Sequence, residues 1–569
     1  MATNQHTALS PRNKDFIVSE TMSKVLELFH AMDMPPLPVC QSLVEAYFEF
    51  CWTWMPVVDL SLRDTAATSL WTDPALSKPE SPLLMNALLL AGSRMRRGTK
   101  YASSQEYYTR AKILVDMEIE RNPQHLLGAL CMMQWWNAYN PQDVSTTSSR
   151  FWITYAIGFA QQMGLHMGRT LPSQNKSLWK RLWWTLYARD CLIAAAHGRP
   201  RIINQEDCSI DAITVHDFPP GHEFRGLIFV HFVKISEILC DLCRALTRTP
   251  ILSSSSKDTI AARLLEWTER LPDELRLYNS DGSSRPHQFE EAQLHVYFLT
   301  ALCILYRPRS ISTLGPENTA AVLASSLSHR LLEGFQLRDL TRYLAPIFTW
   351  CTFVAAIPQL SCSVVPSLWK DSCEAVGDLH GILVSLSSNW PSATFNSEEL
   401  ERLQKIADDA AANHRRSQNS QRQVQVLQSD SGSEHGLESL FVGYGQHTLQ
   451  RYQQIHSILA ISMDPSQVVA TNGGPPASHV QLPADTTLRN SGMGRNINCQ
   501  PSSDRLASLT SQMVSATSDQ TYPSSATLPS LSEAPISFEE MDSNWCDNWC
   551  DLDWTDILAG TGAHDLAVV

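Results

Sequence analysis

The sequence predicts an all-α fold, a large multi-helix domain followed by a disordered linker and an acidic tail. Three observations predict it. Between about residue 38 and Pro391 apolar residues recur at three- and four-residue spacing, and segment 80–200 holds almost no alternating pattern. The 569 residues are 43% hydrophobic and include 16 tryptophans, enough for a sizeable core. After about residue 412 Ser, Gln, Asn, Thr, Gly and Pro take over, a composition that buries too little apolar surface to offset its chain entropy.

Taken in order, residues 1–35 are mixed, with one amphipathic stretch, SKVLELFHAMDM, where Val25, Leu28 and Phe29 share a helical face. PPLPV breaks the chain, and Leu43, Ala46, Tyr47 and Phe50 then form a stripe before Pro56. SPLLMNALLLAGSRM places Pro82 near a helix start, and SQEYYTRAKILVDMEIER is amphipathic, with Gln105, Arg110 and Glu118 on its polar face. PQHLLGALCMMQWWNAYN starts at Pro123 and is apolar nearly all round, which predicts a central position. SRFWITYAIGFAQQMGLHM reads the same way, with Gly164 as its C-terminal cap. In KRLWWTLYARDCLIAAAHGRPRII one stripe is Leu182, Leu186, Arg189 and Ile193, and a second is Trp183, Tyr187, Asp190 and Ala194. Both faces are largely apolar, so this helix is expected at the centre, ended by Gly198. Further helices fit 226–247, 258–271, 286–306, 316–334, 339–360 and 370–388.

One island interrupts the polar region. QHTLQRYQQIHSILAISM (446–463) has helical spacing at Leu449, Tyr452, Ile455, Ile458 and Leu459. It either docks back onto the domain, the favoured reading, or stands as a separate interaction helix. The chain therefore divides into an N-terminal segment (1–35), a helical domain (36–412), a linker (413–535) carrying that helix, and an acidic-aromatic segment (536–560).

Charge is unevenly placed. The net charge is −14, yet residues 506–569 hold ten acidic residues and no Lys or Arg, leaving −4 for residues 1–505. Overall charge gives no sign of nucleic-acid binding. No run approaches 18 consecutive apolar residues, and the first twenty residues contain no apolar signal core, so neither a membrane span nor a secretory signal is expected. The 14 cysteines are scattered and mostly within apolar segments, which suits buried thiols in the cytosol or nucleus.

Motifs for chemistry are missing. Cys240 and Cys243 form a CxxC on an apolar helix with no second pair near, Cys546 and Cys550 lack partners, and no HExxH occurs. No nucleophile elbow, P-loop or dinucleotide fingerprint is present. His197 sits at a helix end, where the dipole alone favours it. No catalytic residue, metal site or cofactor is expected in this chain. The basic groups Arg94, Arg96, Arg97, Lys100 and Arg415, Arg416, Arg422 are expected to be solvated loops or helix ends.

Arg189 and Asp190 require partners from other segments, because an unpaired buried charge is strongly destabilising. Arg199 and Pro200 open a loop whose Glu206 and Asp207 offer Arg189 or Arg201 a counter-ion. The expectation is a structural clamp of Arg189, Asp190, Arg199 and Asp207, with a small-molecule effector pocket as the lesser alternative.

The tail is more specific. Phe538, Met541, Trp545, Trp549 and Leu552 fall at steps of three or four, and Trp554, Ile557 and Leu558 follow, among seven acidic residues. This composition matches an activation domain. Carboxylate repulsion keeps the aromatics exposed, and a partner's basic-rimmed apolar groove would fold the segment on binding. The competing reading is a C-terminal helix docked on its own domain.

The order of these pieces resembles the regulatory (middle homology) domain of fungal zinc-cluster transcription factors. LVEAYFEFCWTWMPVVD is similar to that domain's opening, SPLLMNALLLAGSRM to its next helix, and YYTRAKILVD and ALCMMQWW follow in order. FWITYAIGFAQQMGLHM and LVSLSSNWPSA resemble later segments. KSLWKRLWWTLYARDCLIAAAHGRPRIINQEDCSID is very similar to the family's most distinctive block. The resemblance spans roughly 38–395 and is nearest in flavour to the cutinase-regulator type. It implies a nuclear, non-enzymatic transcriptional regulator of a fungal metabolic pathway or biosynthetic gene cluster, whose acidic tail recruits the transcription machinery. The family's N-terminal six-cysteine zinc cluster has no counterpart here, since the first cysteine is Cys40, so no zinc-binding or base-reading residue carries over. Contact with DNA then needs an upstream cluster or a DNA-binding partner, such as a dimer with a zinc-cluster factor. The alternative is a scaffold or modulator that pairs with such a factor without touching DNA. No membrane partner is implied.

Overall fold

Ser81, Ser103, Asn122, Ser148 and Ser253 each stand one residue ahead of a helix and accept a backbone N–H from its first turn. Ser103 completes a capping box with Glu106. The computed structural model describes residues 20–63, 81–96, 101–138, 145–168, 174–279, 281–311, 313–418 and 437–463. The acidic-aromatic segment, with Phe538, Trp545, Trp549, Leu552 and Trp554, lies outside the described residues, as does Cys546–Cys550.

Among the described residues there are fifteen α-helices, and the only β-type pairings are two isolated bridges. The first half contains α1 (Glu20–Leu28), α2 (Leu37–Phe50), α3 (Pro82–Met95), α4 (Ser104–Asp116), α5 (Pro123–Met133), α6 (Ser149–Gln162) and α7 (Lys176–His197). Then come α8 (Glu223–Arg248), α9 (Ser254–Glu269), α10 (Phe289–Leu305), α11 (Thr319–Leu337), α12 (Ile347–Ser361), α13 (Pro366–Ser387), α14 (Pro391–Gln418) and α15 (Gln446–Met463). Sequential neighbours pack pairwise: α2 on α3, α3 on α4 and α5, then α5 on α6 and α7. α8 bridges α7 to α10, and α10 to α14 form the second half of the array.

The expected central helix is central. From Leu178 to Ala195 nearly every residue of α7 is buried, and Gly198, at φ +53°, ends it. α10 is buried throughout Glu291–Leu305, and α12 is similarly enclosed. The stretch Ile347–Val364 is long and apolar enough to cross a membrane, but most of it is buried against α10, α11, α13 and α14. Core burial explains its composition.

α6 departs from expectation. Only one of its faces is buried, and Phe151 and Tyr155 are 41% and 46% exposed. Its apolar residues exceed what one buried face needs. Two boundaries also move. The helix expected at 339–360 starts only at Ile347, because Asp339 at φ +55° ends α11 and Pro346 disfavours helical backbone just before it. Beyond Pro391 the chain stays helical, with Leu400, Leu403, Ala407 and Ala411 buried along one face of α14.

The 446–463 island docks. Tyr452, Ile455 and Leu459 of α15 are buried, and α15 packs on α11 and on segment Leu437–Tyr444. One buried hydrogen-bonded imidazole pins that segment. His295 Nε2 lies 2.8 Å from the Leu275 carbonyl and Nδ1 lies 2.8 Å from the Tyr444 hydroxyl. The carbonyl can only accept, so Nε2 carries the proton and Nδ1 accepts from Tyr444, a neutral tautomer that protonation destroys.

Burial lowers the His295 pKa to about 4, against a smaller upward pull from the Leu275 carbonyl. A base depressed in the folded state gives stability that is complete above the unfolded pKa of about 6.5 and drains away as pH falls towards 4. Loss of about 3 kcal/mol is expected across that window, and His295→Phe should flatten it. Denaturant titrations at pH 7.5, 6 and 5 check this, and equal slopes in both proteins would overturn it.

Candidate functional site

The elements around α7 bring together two groups of buried charge, one at each end of the helix. At its N-terminal end Arg181, only 2% exposed, reaches three acceptors. Its Nε donates to the Pro56 carbonyl at 3.1 Å, Nη1 to the Asp217 carbonyl at 2.8 Å, and Nη2 to Asp59 Oδ1 at 2.8 Å. The neighbouring Lys180 donates to Asp217 Oδ2 at 2.6 Å. That oxygen also accepts from the Thr214 backbone and hydroxyl. Burial lowers the Arg181 pKa, while Asp59 pulls the other way. The buried guanidinium thus has its charge offset and its donors used.

Around it the apolar wall is aromatic. Tyr47 donates to the Met55 carbonyl at 2.7 Å and Trp52 to the Val58 carbonyl at 3.1 Å. Phe218 meets Trp52 edge-on, with ring centroids 6.1 Å apart. Together these bonds fix the turn after α2 to α7 and to residues 215–217.

At the C-terminal end of α7 lies Asp190, 0% exposed. Oδ2 accepts the backbone N–H of Ile202 and of Ile203, both at 2.8 Å, and Oδ1 lies 3.4 Å from Arg150 Nη1. Arg150 Nη2 also donates to the Pro200 carbonyl at 2.7 Å. One carboxylate on α7 therefore holds the Gly-Arg-Pro turn and reaches α6. Burial pushes its carboxyl above the usual range, against the pull of the Ile203 and Ile202 amides and Arg150.

The expected clamp is partly rearranged. Arg189 does find a partner from another segment, its Nε donating to Gln134 Oε1 at 2.7 Å. Asp207 does not join, since its side chain is exposed and accepts from Asn204 at 3.1 Å. The counter-ion of Arg201 is instead Asp241 of α8, at 3.6 Å. Gln205–Asp207 forms a short 3₁₀ turn, and neither Glu206 nor Asp207 pairs with Arg189 or Arg201. Arg199 is exposed and takes no part in the clamp.

Sequence reasoning missed Arg150, Gln134, Lys180, Arg181, Asp59 and Asp217. Only Lys180 and Arg181 carried a local signal, two cations just before the most apolar turn. Arg94 also differs from the expected solvated patch. Its guanidinium sits 4.3 Å from the Trp390 ring centroid and donates to the Asn389 carbonyl, and burial lowers its pKa to about 10. Cys240 and Cys243 are buried thiols, as expected, and among the described residues no group of three or more His, Cys, Asp or Glu is gathered for a metal.

This arrangement binds segments to one another. Asp59, Asp190, Asp217, Lys180 and Arg181 bond to backbone groups, to neighbouring side chains and to one another. The family model described as "Fungal specific transcription factor domain" matches residues 44–272. Residues 44–272 are similar to that domain. The matched region opens within α2, closes just after α9 and contains both ends of the α7 clamp.

Curated relatives are regulators as well. The chain is 27% identical over 395 residues to cutinase transcription factor 1 alpha of Fusarium vanettenii, covering 63% of this chain and 42% of that protein. It is 26% identical over 406 residues to the acetamidase regulatory protein of Aspergillus fumigatus, covering 66% and 50%. Against the acetamidase regulatory protein of Emericella nidulans it is 30% identical over 295 residues, covering 49% and 35%. The chain thus spans half or less of the length of these relatives. The resemblance seen in the sequence holds, and helices α10 to α15 lie beyond the residues the family model matches.

Proposed function

We propose that the protein is a nuclear transcriptional regulator of a fungal metabolic pathway or biosynthetic gene cluster. Its helical domain is the regulatory body, and residues 536–560 are the activation segment. The observation that carries this reading is the family match, which encloses the α7 clamp. The relatives' names, cutinase transcription factor and acetamidase regulatory protein, support control of metabolic genes. The tail's alternation of carboxylates with Trp545, Trp549 and Trp554 supports recruitment of the transcription machinery. DNA is reached through a zinc cluster upstream of this sequence or through a zinc-cluster partner.

Fusing residues 530–569 to a heterologous DNA-binding domain tests the tail. Reporter activation is expected, and Trp545→Ala with Trp549→Ala should lower it at least roughly tenfold, since one anchoring aromatic is worth about 2 kcal/mol at an interface. A fusion that does not activate, or one indifferent to both substitutions, would sink this part of the reading.

A further inference from the structure

A cavity opens between the end of α2 and the start of α8. It encloses about 160 Å³ and is lined by Glu45, Phe48 and Glu49 of α2, Arg63 of the turn at 60–63, and Arg225 in the first turn of α8. That is room for about five water molecules, well below a drug-sized pocket. Its wall carries both signs of charge. Glu45 and Glu49 stand one helical turn apart on one face of α2, and both are exposed. Phe48 is buried and supplies the apolar part of the wall.

The two cations are held differently. Arg225 is fixed: Nη1 donates to the Phe48 carbonyl at 2.7 Å, and Nη2 lies 3.5 Å from the Glu49 carbonyl and 3.4 Å from Glu290 Oε1. Thr53 steadies Glu290 in turn, its hydroxyl donating to Oε1 at 3.3 Å. Arg225 thus caps the carbonyl end of α2 and meets the cavity from a set position. Arg63 is exposed. Among the described residues neither Glu45 nor Glu49 closes an ion pair with Arg63 or Arg225. Opposite charges therefore share one small cavity without bridging it. With Glu290 counted, three carboxylates stand against two guanidiniums, which disfavours a net anion. A ligand with an ammonium at one end and a carboxylate at the other complements both walls, because a guanidinium fork matches a carboxylate and the two glutamates match an ammonium.

We propose that this cavity binds a small free α-amino acid as its zwitterion, with the ammonium between Glu45 and Glu49 and the carboxylate on Arg63 and Arg225. A short apolar side chain lies against Phe48. Bound there, the ligand ties the last turn of α2 to the turn at 60–63 and to α8. The charged groups are partly solvated and exposed ion pairs are each worth little, so binding in the millimolar range is expected.

The test titrates L-alanine into the purified full chain and follows it by saturation-transfer NMR. Ethylamine hydrochloride and sodium propionate, each lacking one of the two charged groups, serve as matched probes at constant ionic strength. L-alanine should bind about tenfold more tightly than either. Arg63→Gln and Glu45→Gln remove one charge from opposite walls. Both residues are exposed, so each variant should keep the wild-type unfolding midpoint and weaken L-alanine binding about three- to fivefold, and the double variant about tenfold. The three-probe comparison uses the wild-type chain alone, so it decides the matter whatever a substitution does to folding. Absence of saturable L-alanine binding, a match by ethylamine or propionate, or equal binding by wild type and a folded double variant would overturn the proposal. The readout is binding, so its failure leaves the regulatory reading intact, and the reporter fusion fails or succeeds independently.

Discussion

Asp190→Ala is expected to destabilise the protein by about 3–5 kcal/mol, because it removes the partner of a buried charge and strands two buried amides. The carboxylate is fully buried, accepts from Ile202 and Ile203 at 2.8 Å and faces Arg150 at 3.4 Å. Without it the Gly-Arg-Pro turn loses its anchor and Arg150 keeps only the Pro200 carbonyl. Asp207→Ala, seventeen positions later on an exposed turn, should change stability by less than about 0.5 kcal/mol. Guanidinium titration followed by tryptophan fluorescence compares the two. Similar losses would mean that the carboxylate on α7 is not the anchor described here.

Gly92→Ala comes next in expected size. A Cβ at Gly92 would stand 2.0 Å from the carbonyl oxygen of Leu43, and that oxygen belongs to the backbone of α2. No side-chain rotation relieves such a contact, so α2 and α3 must part. A cost at or above the upper end of the usual overpacking range, about 3 kcal/mol, is expected. Gly158 is the opposite case. A Cβ there meets nothing within 4 Å on the exposed face of α6, and Gly158→Ala should stabilise by about 0.5–1 kcal/mol. Thermal melts of the two variants should move in opposite directions, and a shared direction would refute the close α2–α3 crossing.

Much of the helical architecture could be read from periodicity, because an apolar stripe is a local property. α7 is the clearest case, with two stripes on one segment and a glycine at its end. The docking of α15 was legible for the same reason, since its buried Tyr452, Ile455 and Leu459 lie on one face. Pairing was far less legible. That Asp190 must be satisfied followed from its apolar setting, but Arg150, forty positions earlier, left no mark in the sequence near it. The sequence suggested Asp207 for Arg201 because it was near along the chain; the fold brings Asp241 of α8 instead. α6 misled in the other direction. Its composition matches a central helix, and nothing local distinguishes a Phe151 that faces the core from one that faces water.

The cysteines give this fold a built-in chemical clock. Of the eleven among the described residues, Cys208 and Cys373 are half-exposed and the other nine are buried. Burial raises the Cys40 thiol to about 12 and the Cys243 thiol likewise, so the reactive thiolate is scarce as well as hidden. An alkylating reagent must therefore wait for the segment around each buried sulfur to open. Cys40 and Cys51 report on α2 and its turn, Cys240 and Cys243 on α8, Cys351 on α12 and Cys362 just beyond it. Mass-resolved labelling over time would thus rank the regions of the bundle by how often each one breathes, with no engineered probe.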